Sequence, residues 1–331
     1  MKVLLLGATG LLGHNVLQRL TDRGHEVVVL VRRRSSLCLE AADTMVVEGC
    51  ITDRDTVVAA AEGCDAIVNC AGVTDMSLLH LGDYEAVNTQ LCRTLVSAMN
   101  RHGISRLVHA STVNTIGYGT ADRPACEEEP VRAPFDGSLY AQSKLQGERV
   151  LREAAGRHPD WHVVMVNPGF MIGPMDAKPS SGRMLLTGYR RRLMFAPRGG
   201  KAFVDVRDVA AAMESALTRG RNGARYIAVN SHEHHTIKEL YELQAQVMGY
   251  RQRVLTLPDG LLRMAGWLGD LVRGVGVRTE LSTNNVRQLM VREYYDNSQA
   301  VRELAMPETD LAQSIRDFHR WREEHKDNIK H

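Results

Sequence analysis

Apolar and polar positions follow two alternating spacings through the first third of the chain. Lys2–Leu6 is a short, nearly unbroken apolar run, as a strand buried on both faces requires. Over 11–23, Leu12, Val16, Leu17 and Leu20 recur at helical spacing, and Gly24 stops the pattern. Strand-like runs return at Glu26–Val31, Thr44–Glu48, Ala66–Asn69 and Arg106–Ala110. Helical patterns separate them at 55–62 and as one long helix over 83–101. Strands alternating with helices predict a parallel sheet covered on both faces, the doubly wound α/β class.

A further helix is predicted over 138–155 and a sixth strand over 162–166, followed by Asn167-Pro168-Gly169. The alternation then breaks. The stretch 178–200 is rich in Pro, Gly and Arg, and 255–277 is apolar but interrupted by glycines. Thr236 and Glu239 are spaced as a capping box for a helix over 236–248. The expected division is a core over 1–166 and a mainly substrate-binding lobe over 167–331. Segments near 203–206 and 226–229 are expected to return to the core.

Composition narrows the function classes. The chain has 331 residues, 44% apolar and 24% charged, as ordinary globular proteins do. Its 41 basic and 39 acidic residues leave a net charge of +2, which gives no reason to expect nucleic acid or an anionic membrane as main partner. The apolar start is too short for a signal segment, and no window of about 20 apolar residues predicts membrane insertion. Cysteines at 38, 50, 64, 70, 92 and 126 form no Cys-x-x-Cys pair. Reduced thiols and a cytoplasmic location are expected.

Gly7-Ala8-Thr9-Gly10-Leu11-Leu12-Gly13 lies between the first strand and first helix, the context a dinucleotide-binding turn needs. The first glycine permits the tight turn. The second lets backbone approach a pyrophosphate, and the third lets helix and strand pack closely. The residue ending the second strand selects the cofactor: a carboxylate suits the ribose 2′-hydroxyl, and Arg a 2′-phosphate. Here the turn reads Arg32-Arg33-Arg34-Ser35-Ser36. A forked guanidinium is the better partner for a phosphate dianion, so NADP(H) is expected over NAD(H), with Arg32 as first contact.

Tyr140 and Lys144 stand four apart at the start of the 138–155 helix, on one face. A phenol with a reference pKa of about 10 is a poor acid or base at neutral pH. A neighbouring ammonium is expected to draw it down. The fifth strand ends in His109-Ala110-Ser111-Thr112, presenting hydroxyls at the carboxyl edge of the sheet, where such folds bind ligands.

These pieces together resemble the extended short-chain dehydrogenases/reductases, the NAD(P)-dependent epimerase/dehydratase family with its Rossmann core. The matching segments are Gly7-x-x-Gly10-x-x-Gly13, Asn69-x-Ala71-Gly72, Asn88, Ser111-Thr112, Tyr140-x-x-x-Lys144, Asn167-Pro168-Gly169 and residues 203–210. Weaker matches (His25-Glu26-Val27, Ile172-Gly173-Pro174 with Lys178-Pro179 and Gly182-Arg183, Arg225-Tyr226-Ile227) resemble the dihydroflavonol-reductase-like group. That group lies close to 3β-hydroxysteroid dehydrogenases and takes in proteins described as sugar epimerases of hopanoid operons.

The resemblance implies that Tyr140 is the general acid/base. It implies that Lys144 lowers the Tyr140 pKa and binds the nicotinamide ribose, and that Thr112, with Ser111 as alternative, orients the substrate oxygen. It places Gly7, Thr9, Gly10, Leu11, Leu12, Gly13, Arg32, Cys50, Ile51, Ala71, Gly72, Asn88, Tyr140, Lys144, Asn167, Pro168 and Gly169 around the cofactor. Val73, Thr112, Asn114 and Tyr140 are placed around a small carbonyl or alcohol substrate. The helices over 83–101 and 138–155 resemble those that pair in homodimers.

Two departures matter. Gly49-Cys50-Ile51 lacks the aspartate usual near the adenine, and Thr112-Val113-Asn114 lacks the acidic pair that sugar dehydratases carry. Dehydration is therefore excluded. The reading is an NADP(H)-dependent reductase or dehydrogenase. The alternatives are a nucleotide-sugar epimerase with tightly held NAD(P), and a non-catalytic NADP-binding regulator.

Three smaller signals are read as structural. His232-Glu233-His234-His235 fails the zinc-protease spacing, because position 236 is Thr, and no metal is expected. The run Tyr189-Arg190-Arg191-Arg192 is read as a solvated face, with contact to an anionic substrate as the alternative. The apolar stretch over 261–277 has the alternative reading of an interfacial membrane helix, but Arg263, Asp270 and Arg273 break its apolar surface, and it is read as a pocket lid.

Overall fold

A computed structural model describes residues 1–34, 44–177 and 179–326. Ser35, Ser36, Cys38 and Lys178, named above, lie outside the described residues. Seven parallel strands form the main sheet: β1 Lys2–Leu6, β2 Glu26–Val31, β3 Thr44–Glu48, β4 Ala66–Asn69, β5 Arg106–Ala110, β6 His162–Pro168 and, after an interval, β10 Arg225–Ala228. Their order, β10-β6-β5-β4-β1-β2-β3, reverses direction at β1, which puts a crevice at the carboxyl edge beside β1 and β4.

Both faces are buried, and alternate residues go to opposite sides. Val3, Leu5, Val27, Val29, Val68 and Val108 pack under helices α1 (Leu11–Asp22) and α7 (Val206–Ser215). Leu4, Leu6, Val28, Leu30, Ile67 and Leu107 pack under α2 (Arg54–Ala60), α4 (Gln90–His102) and α5 (Leu139–Arg157).

The helix expected over 83–101 is two: α3 (Leu81–Asn88) and α4, joined at Thr89. The Thr89 hydroxyl donates to the Ser143 carbonyl at 2.9 Å. Gly147 lets α5 close on the joint, because a Cβ there would lie 2.5 Å from the Asn88 carbonyl oxygen. Tertiary contact with α5, absent from any local pattern, divides the helix.

The segment at 203–206 returns to the core but not to its sheet: Val204 and Val206 are buried in the cluster beneath α1 and α7. The segment near 226–229 does supply the seventh strand of the main sheet. Residues 200–205 do not; they form β9 (Gly200–Asp205) of a separate three-stranded sheet with β7 (Phe170–Ile172) and β11 (His234–Thr236). Their apolar run is buried in that sheet, and α7, starting at Val206, carries the chain back over the main core. A two-stranded parallel ribbon, β8 (Leu193–Ala196) with β12 (Arg253–Thr256), completes the strands.

The remaining helices are α6 (Gly182–Gly188), α8 (Ile237–Val247), α9 (Asp259–Gly274), α10 (Thr283–Gln288), α11 (Ser298–Leu304) and α12 (Leu311–Glu324). The capping box of α8 forms as expected: the Thr236 hydroxyl accepts from Glu239 N at 3.1 Å, and the Glu239 carboxylate accepts from Thr236 N at 2.7 Å. The glycines of 255–277 do not break α9. Gly266 and Gly269 instead let it pack against 281–283, where a Cβ on Gly269 would fall 2.3 Å from the Leu281 carbonyl oxygen. Among the described residues no helix is long and apolar enough to cross a membrane. Cys50, Cys64, Cys70, Cys92 and Cys126 are free thiols.

Candidate active site

The turn from β1 into α1 is built on close approach. Gly7 has φ +82°, and a Cβ there would lie 2.5 Å from Ala71 N. A Cβ on Gly13 would lie 1.9 Å from the Gly7 carbonyl oxygen. Gly10 differs: it is exposed, and its Cβ would meet only the Gly7 oxygen, at 3.6 Å. Gly10 is also the N-cap of α1 and offers no side-chain cap, and the first turn holds no acidic residue. The first-turn amides of Leu11 and Leu12 therefore lack helical partners and stand at the positive end of the helix dipole. This half-buried cradle, with Thr9 on its rim, fits a pyrophosphate. Gly13→Ala is expected to destabilise the fold by roughly 1–3 kcal/mol or more, because the clash is with backbone. Urea unfolding of the variant checks it, and an unchanged midpoint would refute the packing role.

At the open end of the cradle, Arg32 follows β2 and is exposed. Glu48 accepts from Arg34 N at 2.6 Å and so fixes the turn. Cys50 follows β3, exposed, with its thiol 3.0 Å from the Thr52 hydroxyl. The Thr52 hydrogen bonds draw the Cys50 pKa down, and the Arg32 charge adds to this, so Arg32 and Cys50 share one rim. Ile51 is half-buried beside it.

The far wall comes from the loop after β4. The Asn88 side chain accepts from Val73 N at 2.9 Å and donates to the Val73 carbonyl at 3.0 Å and to the Ser143 hydroxyl at 2.9 Å. Asn88 thereby fixes Ala71, Gly72 and Val73 against α5. Gly72 is small where it must be, since a Cβ would sit 3.2 Å from Lys144 Nζ.

Tyr140 and Lys144 project from the first turns of α5 toward this loop, and Ser138 caps the helix by accepting from Ala141 N. Lys144 Nζ donates to the Ala110 carbonyl at the end of β5, at 2.8 Å. The Thr112 hydroxyl stands near enough to the Tyr140 phenol to lower its pKa. Ser111, the sequence alternative, is turned away and donates to Glu148 inside the protein. Asn114 lies half-buried on the turn after Thr112, and its amide donates to the Thr112 hydroxyl at 3.3 Å. The Tyr84 ring lies 6.5 Å from the Tyr140 ring.

The structure corrects the electrostatic expectation. Burial pushes the Tyr140 phenol up to about 12; the Thr112 hydroxyl pulls the other way, and the Glu148 carboxylate adds to the rise. Lys144 is itself drawn down, because its ammonium is buried. Removal from water dominates both shifts.

Sequence reasoning missed Glu148. It is buried and accepts from Ser111, from Thr115 at 2.8 Å and from Asn167 Nδ2 at 2.7 Å, with Arg225 3.6 Å away. The signal was present: Tyr140, Lys144 and Glu148 repeat at four-residue intervals on one face of α5. Asn167 is correspondingly turned inward, also donating to the Thr112 carbonyl at 3.0 Å. It braces the β5 and β6 ends from below, with Pro168 ending β6. Gly169 follows, where a Cβ would lie 2.4 Å from the Ala202 carbonyl oxygen. Beside Tyr140 is a cavity of about 200 Å³ bounded by Met76, Leu78, Tyr84, Arg273 and Asn285. Arg273 and Asn285 come from the C-terminal lobe, Arg273 from the stretch read as a pocket lid.

A glycine cradle at the switch point of a doubly wound sheet, facing a Thr–Tyr–Lys group, defines a nicotinamide-dinucleotide oxidoreductase fold. Residues 3–230 match the NAD dependent epimerase/dehydratase family, and the chain belongs to it. It is 30% identical over 97% of its length to sterol demethylase protein B of Methylococcus capsulatus, covering 98% of that protein. It is 29% identical over 96% of its length to a Synechocystis protein classed as a dihydroflavonol 4-reductase, covering 94% of it. Among solved structures, gox2253 superposes with a TM-score of 0.82 at 24% identity, with 98% of each chain covered. A UDP-glucose 4-epimerase of Thermotoga maritima gives 0.78 at 18% identity, covering 98% of this chain and 99% of that one. The chain is an NAD(P)-dependent enzyme of the extended short-chain type.

Proposed function

We propose that this protein is an NADP(H)-dependent reductase or dehydrogenase, interconverting a carbonyl and a hydroxyl on a small organic substrate. The observation that carries the reading is the convergence of the Thr112 hydroxyl and the Tyr140 phenol at the sheet edge, with Lys144 anchored beside them on Ala110. A nicotinamide dinucleotide, when bound, supplies or accepts the hydride. Gly7, Thr9, Gly10, Leu11, Leu12 and Gly13 would hold its pyrophosphate. Arg32, with Cys50 and Ile51, would meet the adenosine end, and Ala71, Gly72, Lys144, Pro168 and Gly169 the nicotinamide end. Asn88 and Asn167 position these groups from behind.

Thr112 Oγ1 and Tyr140 Oη form a pair of donors for one substrate oxygen, with Val73 and Asn114 at the pocket wall. In reduction, Tyr140 gives its proton to that oxygen, and the Lys144 ammonium stabilises the phenolate left behind.

Reductase is favoured over epimerase on two grounds. An exposed Arg32, where an NAD-selective site carries a carboxylate, suits a 2′-phosphate. Relatives matched along most of the chain include a ketoreductase of Stigmatella aurantiaca acting on a farnesylated dihydroquinoline oxide, 26% identical with 82% of this chain covered. The UDP-glucose 4-epimerase of Azospirillum brasilense is matched over only 47% of it. A homodimer through α4 and α5 accompanies this reading, with Val96 and Val150 in a shallow surface groove between them.

The raised Tyr140 pKa has a signed consequence. A proton donor whose pKa is raised stays protonated, so kcat/KM for carbonyl reduction is expected to stay level from about pH 6 to about pH 9. Alcohol oxidation needs the phenolate and should climb with pH over the same range. Initial rates in both directions check this; an oxidation rate already flat at neutral pH would contradict it. The experiment for the function itself is a panel of carbonyl compounds followed by loss of NADPH absorbance. Sustained turnover supports the reading, and none across the panel, with intact NADPH binding, favours the regulator.

A further inference from the structure

We infer that the outer face of α9 and the β8–β12 ribbon is a docking surface for an anionic lipid bilayer. The inference does not depend on the substrate. Along α9, Leu261, Met264, Leu268, Leu271 and Val275 recur three and four apart and form one stripe, with Trp267 beside it. All six are exposed, Trp267 by 58% and Val275 by 79%. The ribbon continues the pattern: Leu193, Phe195 and Leu255 are exposed while Met194, Ala196 and Val254 face inward. Leu255 pairs with Phe195, and Arg253 with Leu193. The Arg198–Asp259 ion pair, 3.6 Å, ties the first turn of α9 beside the end of β8. So much exposed apolar surface in one region marks an interaction site.

The charges that interrupt this stretch in sequence do not occupy the stripe. Asp270 accepts from Thr283 N at 3.0 Å. Arg273 reaches inward and donates to the Leu78 and Thr279 carbonyls, each at 2.8 Å. The sequence argument from net charge also fails locally. Residues 189–199 and 250–288 carry ten arginines against three carboxylates, in a chain whose net charge is +2. Arg190, Arg191, Arg192, Arg251, Arg253 and Arg263 are exposed.

That charge decides the occupant. In a symmetric pair the same patch meets itself, so a second copy would set these arginines against their own kind. Anionic headgroups complement them, and an interfacial tryptophan with leucines on a basic amphipathic helix suits the headgroup boundary. The inner side of α9 bounds the cavity beside Tyr140, so docking would bring the pocket mouth to the membrane surface.

The test is sedimentation of the full chain with vesicles of phosphatidylcholine alone and of phosphatidylcholine with phosphatidylglycerol, at low and high salt. Binding is expected only with phosphatidylglycerol and should weaken with salt. Replacing Arg190, Arg191 and Arg192 by Gln should lower the partition roughly a hundredfold, at about fivefold per arginine. The double variant W267E/L271E should lower it at least about tenfold through lost apolar burial. NADPH-induced shifts in melting temperature, unchanged in both variants, show that they are folded. No binding to phosphatidylglycerol vesicles overturns the proposal, as does equal, salt-insensitive binding to both compositions. A wild-type oligomer that W267E/L271E dissociates in sedimentation velocity, without vesicle binding, assigns the face to a second copy and likewise overturns it.

Discussion

Tyr140→Phe is expected to bind NADPH as the parent does and to lose roughly 10²–10⁴-fold in turnover. The ring would keep its place beside Tyr84, 6.5 Å away, so the pocket shape is preserved. Only the Oη group that faces Thr112 disappears. Without its proton, negative charge developing on the substrate oxygen meets Thr112 alone. NADPH fluorescence titration measures the binding, and single-turnover absorbance the chemistry. A variant with unchanged turnover would remove Tyr140 from the proton path. Thr112→Ala should fall less, because it orients the oxygen and supplies no proton.

Arg32→Ala is expected to weaken NADPH binding roughly 10- to 100-fold, the worth of charged hydrogen bonds to a phosphate, while NADH changes little. The exposed position of Arg32 allows the substitution without disturbing the buried strand it follows. Arg32→Asp should go further and favour NADH, since a carboxylate there repels the 2′-phosphate and can accept from a 2′-hydroxyl. Calorimetric titration with both dinucleotides reads the ratio. Equal loss for NADPH and NADH would mean that Arg32 supports the loop rather than recognising the phosphate.

The sequence made the Rossmann half legible because its signals are local. An apolar run such as Leu4 to Leu6 is a central strand wherever it falls in such a chain, and Gly7, Gly10 and Gly13 carry their own steric reasons. What failed depended on distant contacts. The α3–α4 joint is made by Ser143 on another helix, and β9 joins its own sheet because β7 and β11 flank it. The downward pull expected on Tyr140 followed from Lys144 at helical spacing; burial, which no spacing records, reversed it. The resemblance favoured Thr112 and kept Ser111 as the alternative; which way each faces is set by a buried partner. Here Glu148 takes Ser111. Arg273 and Asn285 reach the pocket from 197 and 209 residues beyond Met76, each donating to its carbonyl; the lid reading covered Arg273, but no pattern singled out either side chain.

The central claim is an exchangeable NADP(H) serving net redox chemistry. The most direct measurement identifies the nucleotide on the purified protein and then follows NADPH consumption with a responsive carbonyl compound. Bound nucleotide is expected to exchange freely, NADPH to be preferred, and one NADPH to be consumed per alcohol formed over many turnovers. Tightly held NAD that never exchanges, with no net NADPH consumption, would contradict it and make the protein an epimerase.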